Sequence, residues 1–182
     1  MIISLFADRR TPDVAAVAHD LARALAATWP GQSMSLFVDG VATRAARGIR
    51  FTLPAQPLPA SVSRALAALR PTEHAVLAFV GSVTEPVITA FDLSQRILVL
   101  TDASVASLRA AQRTIKLCKD IGYTRGRVLA VVLLEDAEPV DVDAVRAALR
   151  RESFSVVPGR QAPAESRRAA IAELADRIAR HA

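Results

Sequence analysis

Short apolar runs alternate along this chain with longer stretches of helical periodicity, and no other feature limits its fold so closely. The runs are IISLF (2–6), MSLFV (34–38), IRFTL (49–53), AVLAFV (75–80), RILVLT (96–101), RVLAVVLL (127–134) and SFSVV (153–157). Several are apolar throughout and not only at every second residue, which is the pattern of a strand covered on both faces. Between them, apolar residues recur with the helical period over Pro12–Thr28, Pro59–Leu69, Glu85–Ala90, Ser104–Ile121, Val140–Arg150 and Ala164–Arg180. A strand, a helix and a second strand in succession make a right-handed crossover between parallel neighbours. The expectation is therefore an α/β fold, a three-layer, doubly wound and mostly parallel sheet with helices on both faces. No internal repeat interrupts the pattern. The one linker-like stretch, LPAQPLPAS (53–61), carries three prolines, as a surface loop does.

With 182 residues, 52% of them apolar, the chain can bury a substantial core as one domain, 1–182. No stretch has the length and apolarity of a transmembrane segment. The start, MIISLFADRR, has no basic residue ahead of its apolar run and no small-residue cleavage site, so no secretory signal is expected and the compartment is read as cytoplasmic. Cys118 is the only cysteine, which excludes an internal disulfide and a cysteine-rich metal site. The formal charge is +5, and of the 23 basic residues only Lys116 and Lys119 are lysines. A basic balance can favour nucleic acid or an anionic membrane surface. Here the arginines are scattered through helices beside Asp and Glu, and six Phe, one Tyr and one Trp offer little for base stacking, which weighs against nucleic-acid binding.

In an open parallel sheet, ligands bind outside the carboxyl ends of the strands, so the turn after the first run is the natural place for a site. It reads Asp8-Arg9-Arg10-Thr11-Pro12-Asp13-Val14-Ala15. A phosphate-binding loop needs glycines so that backbone amides can approach the phosphate, and a lysine whose charge reaches the outer oxygens. This turn has neither. It builds a helix start instead, with Thr11 able to cap, Pro12 suited to the first helical position and Asp13 complementing the helix dipole. Two like charges about 4 Å apart repel by roughly 4 kcal/mol near a protein surface, so Asp13 would oppose a bound anion. Arg9 and Arg10 can clamp a phosphate or can simply be solvated. Asp39, before Gly40, suits an ordinary turn. His19 and His74 have no second His or Cys at ligand spacing, so no metal is expected. Cys118 falls on the apolar face of its helix, as a core thiol does, and Ser104 and Ser107 fit a helix start and not a nucleophile. In the last helix Ile171, Leu174, Ala175 and Ile178 form one stripe that is rich in alanine and lacks Trp and Phe, which suits docking on the sheet better than lying in a bilayer.

The same turn and the helix after it resemble, without a gap, the deviant Walker A segment of the MinD/ParA ATPases, S-x-K-G-G-x-G-K-T-T followed by x-A-x-N-L-A-x-A-L-A. Arg9 then falls on the first lysine, Arg10 and Thr11 on the paired glycines, Asp13 on the third glycine, Val14 on the phosphate-loop lysine and Ala15 on the magnesium-binding Thr. SLFVDG (35–40) resembles the next family strand, which ends in an aspartate at Asp39. EHAVLAFVG (73–81) resembles the Walker B strand, with Ala78 at its aspartate position. SQRILVLTDASVASLRAAQRTIKLCKDIGY (94–123) looks like a strand and helix of the TadZ/CpaE pilus-localisation branch. RVLAVVLLEDAE stands where the family has a strand ending in Asn-Arg, with Glu135 and Asp136 replacing that pair, and FSVVPGR (154–160) resembles the strand and proline turn before the last helix. About 35 residues separate Asp39 from Ala75, a short interval that implies the loss of a strand–helix piece.

The resemblance implies a P-loop NTPase-like fold with degenerate nucleotide motifs, a pseudo-ATPase with no catalytic residue and no cofactor, in which Asp39 is a relic acidic position. It implies a homodimer paired across the phosphate-loop face, with Arg9, Arg10 and Asp13 as interface candidates. It further implies pilus or secretion assembly proteins as partners, and recruitment by them to the cell pole or inner membrane. Two other readings stand beside it. One is a nucleotide-binding MinD/ParA-type ATPase that takes ATP and magnesium and uses Arg9 and Arg10 in place of the lysine. The other is a partitioning-type DNA-associated factor.

Overall fold

The structure, a computed structural model, describes residues 1–8, 14–30, 33–38, 49–50, 58–69, 72–134, 141–151 and 154–180. In chain order the elements are β1 (Ile2–Ala7), α1 (Val14–Thr28), β2 (Ser33–Val38), β3 (Ile49–Arg50), α2 (Pro59–Ala67), β4 (Glu73–Val80), α3 (Glu85–Leu93), β5 (Arg96–Asp102), α4 (Val105–Ile121), β6 (Val128–Leu134), α5 (Val142–Leu149), β7 (Ser155–Pro158) and α6 (Ala164–Ala179). Every apolar run contains a strand and every helical stretch a helix. The strands form one seven-stranded sheet in the order β3-β2-β4-β1-β5-β6-β7. All of its pairings are parallel. The expected fold class is the one found.

Alternation along the strands divides the core in two. From β1, Ile3, Leu5 and Ala7 join a cluster with Val76, Ala78, Leu98 and Leu100 beneath α1 and α6. Phe6 faces the other way, into a cluster with Leu77, Phe79, Ile97, Val99 and residues of α2, α3, α4 and α5. Such strands show no polar alternation because both faces are covered. Helix α1 buries Val14, Val17, Ala18, Leu21, Ala22 and Leu25, the three-and-four spacing of one helical face. Helix α6 buries Ile171, Leu174, Ala175 and Ile178 beside them, so its stripe docks on the sheet side as expected. Each Leu or Ile buried in this way contributes about 1.5–3 kcal/mol. The short interval before β4 holds a strand and a helix, β3 and α2, which carry the chain from β2 to β4.

Local chemistry fixes the ends of the elements. Ser104 caps α4 by accepting the Ser107 amide at 3.2 Å, and Asp141 caps α5 by accepting the amides of Asp143 and Ala144, both at 3.0 Å. Helix α4 stops at Gly122, whose φ of 102° is the left-handed geometry that glycine adopts without strain. Helix α3 runs past the expected Ala90 to Leu93 because a side chain from far away closes its end. Arg127 donates from Nε to the Ser94 carbonyl at 2.7 Å and from Nη2 to the carbonyls of Phe91 and Asp92, covering carbonyls at the helix end, of which Phe91 also accepts the Ser94 amide. Its guanidinium lies 4.6 Å from the centre of the Tyr123 ring, and the Tyr123 hydroxyl donates to Asp92 at 2.5 Å.

Candidate functional site

The centre of the sheet is also its switch point. From β1 the chain crosses over α1 to β2 on one side, whereas from β4 it crosses over α3 to β5 on the other, so β1 lies between β4 and β5 at the place where open α/β sheets bind ligands. At the carboxyl end, the Gly81 amide donates to the Ala7 carbonyl at 2.9 Å, so the backbone turns away from β4 beside the end of β1. Gly81 turns with a φ of 122°, which a side chain would resist.

Of the residues singled out at this site, Arg9, Arg10, Thr11, Asp13 and Asp39 lie outside the described residues, as do Pro12, Glu135 and Asp136. Val14 and Ala15 open α1. Val14 is 2% exposed and packs in the same cluster as Leu5, Ala7 and Ala78. Ala78, 1% exposed, sits opposite Leu5 of β1 and Val38 of β2. Ala15 is half-buried. The wall of the site formed by these residues is thus alkyl, with no cation and no oxygen ligand on it.

The polar groups beside it belong to β5 and α4. One Asp102 carboxylate oxygen accepts the Ser104 amide at 2.7 Å, and the other accepts the Ser107 hydroxyl at 2.8 Å. Ser104 and Ser107 therefore build a helix start, as their position in sequence suggested, with the Ser107 hydroxyl held by Asp102. Asp102 went unnoticed in the sequence, although its spacing to Ser104 and Ser107 was the available signal. The same end of the sheet also shows apolar surface. Val80 closes β4, Val105 opens α4 and Val142 opens α5, and all three are exposed, Val105 at 64%.

The remaining singled-out residues make contacts elsewhere in the fold. His19 Nδ1 is 4.0 Å from Asp20, which accepts from Arg167 Nε at 2.9 Å. His74 lies at the amino end of the sheet, its ring 4.6 Å from Trp29 and its Nδ1 2.5 Å from the Met1 amino group. Burial and that neighbouring positive charge hold His74 below the usual histidine range. Cys118 is 1% exposed, and burial pushes its thiol up to about 11. Among the described residues, no three His, Cys, Asp or Glu side chains gather in a way that could hold a metal ion. No helix among them is long and apolar enough to cross a membrane.

No family model matches the chain, and no curated protein matches it. Solved structures do. A ParA family ATPase from Chlorobium tepidum superposes with a TM-score of 0.76 at 15% identity, over 95% of this chain and 96% of that one. MinD in the MinC:MinD cell division complex of Aquifex aeolicus gives 0.73 at 12% identity, over 98% and 95%. A putative plasmid partition protein from Borrelia burgdorferi, bound to AMPPNP, gives 0.72 at 8% identity, over 99% and 98%. The chain has the fold of the MinD and ParA ATPases, a P-loop NTPase fold. At these identities the likeness is one of fold, and function is a separate question.

Proposed function

We propose that this chain is a MinD/ParA-like pseudo-ATPase that acts through protein–protein contacts, as a localisation or assembly factor of the TadZ/CpaE kind for a Flp-type pilus or secretion apparatus. The observation that carries the proposal is the shared burial of Val14 and Ala78 in one apolar cluster. By the resemblance these are the positions of the phosphate-loop lysine and the Walker B aspartate. A phosphate loop needs a cation that reaches the outer phosphate oxygens, and magnesium needs oxygen ligands; valine and alanine supply neither. The pilus assignment is supported by residues 94–123, which form β5 and α4 and carry the closest likeness to the TadZ/CpaE branch. The exposed Val80, Val105 and Val142 offer an apolar surface on which two copies can pair, and the resemblance adds Arg9, Arg10 and Asp13 as interface candidates.

Two experiments test it. Calorimetry with ATP, ADP and magnesium is expected to show nothing tighter than about millimolar, equivalent to about 4 kcal/mol. Deletion of the gene is expected to abolish pilus assembly and leave plasmid and chromosome partition intact. A second reading, an ATPase with an atypical phosphate loop, is favoured by the AMPPNP-bound partition protein that shares this fold. Micromolar nucleotide binding that is lost in Arg9→Ala would establish that reading instead.

A further inference from the structure

The opposite, amino-terminal end of the sheet carries a feature that the fold does not require. Between the last turns of α4, the turn into β6 and the end of α5 lies an open cavity of about 300 Å³. Its floor is apolar, made by Ile115, Tyr123, Val128 and Leu149. Its rim is cationic, made by Lys116, Lys119, Arg125, Arg150 and Arg151. Cations are ordinary at helix C-termini, where the last carbonyls amount to about half a negative charge, and two helices end here. Those two half charges do not balance five cations. Asp120 pairs with Lys116 at 2.7 Å, and among the described residues no carboxylate lies within salt-bridge distance of the other four.

Two carbonyls at each of these helix ends are also already engaged. The Gly122 and Tyr123 amides donate to Lys119 and Cys118, and the Arg150 and Arg151 amides donate to Ala147 and Arg146. Arg151 is fixed in place by donating from Nη1 to the Val128 carbonyl at 2.6 Å, where burial and the nearby Arg125 both disfavour its charge. Arg150 holds a left-handed backbone, φ 51°, which a non-glycine residue adopts at some cost. Among the described residues, a surplus of positive charge is thus held around a concave, oily floor.

We propose that this cavity binds a small phosphate monoester with an aromatic or apolar body. Guanidinium forks take phosphate oxygens bidentately and lysine adds a point charge, so a dianion of this kind would neutralise the rim while its body covers the floor. The volume lies at the small end of ligand cavities, about 300–1,000 Å³, and suits a small molecule. A nucleic-acid backbone is tracked by an extended basic groove with stacking aromatics, which this closed-ended apolar floor is not. The inference is independent of the nucleotide question at the other end of the sheet.

Phenyl phosphate is the probe, titrated into the intact chain by calorimetry at low salt, where charge interactions are least screened. Binding with a Kd below about 0.1 mM, at least tenfold tighter than inorganic phosphate, is expected because only the ester fills the floor. The double variant Lys119→Ala, Arg150→Gly removes two rim cations, and glycine accepts the left-handed backbone, so the Tm should hold while phenyl phosphate affinity falls at least tenfold. Binding weaker than about 1 mM, or equal for the ester and inorganic phosphate, or unchanged in the double variant, would overturn the proposal. So would attachment to vesicles containing phosphatidic acid without binding of soluble phenyl phosphate, which would make the occupant a lipid surface. Retention of duplex DNA that is lost in the double variant, again without phenyl phosphate binding, would assign the cations to nucleic acid and overturn it as well.

Discussion

Arg167, in the first turn of α6, donates from Nε to Asp20 of α1 at 2.9 Å and joins residues 147 positions apart. Its Nη1 also donates to the Pro158 carbonyl at the end of β7, at 3.1 Å. Arg167 is 9% exposed, and its Nη2 is buried with no hydrogen-bond partner among the described residues. Arg167→Ala should therefore lower stability by about 1–3 kcal/mol, and Arg167→Met by less, because methionine refills the space without burying an unmet donor. Urea denaturation measures both. Removing Arg167–Ala182 also strips Ile171, Leu174 and Ile178 from the core, and the shortened chain should be insoluble or melt much earlier. A truncated chain as soluble and heat-stable as the whole would mean that α6 is an appendage free to meet a membrane.

Alkaline pH should loosen the fold through Cys118. Its thiol is raised from 9.0 to about 11 by burial, against the opposing pull of Arg151 and Arg127. The unfolded chain therefore gives up this proton first, so the stability linked to the neutral thiol is complete below pH 9 and is lost as pH climbs toward 11. The full loss is about 2–3 kcal/mol. Tyr123 is raised too, by burial first and then by its bond to Asp92, and prolongs the decline above pH 10. Denaturation from pH 8 to 11 should show the fall, and Cys118→Ala should flatten its earlier part. At pH 8 the native thiol should resist a thiol reagent until the chain is unfolded.

Putting a carboxylate at the Walker B position is predicted to damage the fold and not to restore chemistry. Ala78→Asp would bury an acid against Leu5 and α1, at a cost of about 2–4 kcal/mol. Thermal melting and a phosphate-release assay test this together. Magnesium-dependent hydrolysis by an Ala78→Asp, Val14→Lys variant would show that the loop keeps nucleotide geometry.

Self-association should need no nucleotide. Val105 is exposed at the carboxyl end of the sheet, so Val105→Asp should weaken a dimer without lowering the Tm. Rim charges contribute less, under about 1 kcal/mol each, yet reversal in Arg9→Glu, Arg10→Glu places like charges across a symmetric contact. Light scattering at tens of micromolar, with and without ATP, reads the mass of all three chains. A native monomer, or a dimer formed only with ATP, contradicts this arrangement.

The fold was legible because each local signal agreed with the others. Unbroken apolar runs became covered strands, and Ser104 and the stripe of α6 behaved as their positions dictated. The end of α3 was not legible, because it depends on Arg127, which is 36 positions from Phe91 along the chain. The basic cavity was hidden for a similar reason. Lys119, Arg125 and Arg150 belong to different elements and read in sequence as arginines and lysines scattered among acids, but packing of α4 against α5 gathers them on one rim. The site at the switch point was located by fold logic alone, and most of the residues named there fall outside those the structure describes.

The place of β1 sets a timetable for synthesis. Its neighbours are β4 and β5, so Ile2 meets Ala75 and Ile3 meets Arg96 across gaps that only later translation can fill. At about 5–20 residues per second, the ribosome leaves IISLFA without its second partner for roughly 5–20 s. Early in that wait α1 is the element nearest in sequence that can shield it, and β4 can later cover one edge. A nascent chain stalled before β5 emerges would carry its future central strand as an open edge, the form most prone to pair with a stranger.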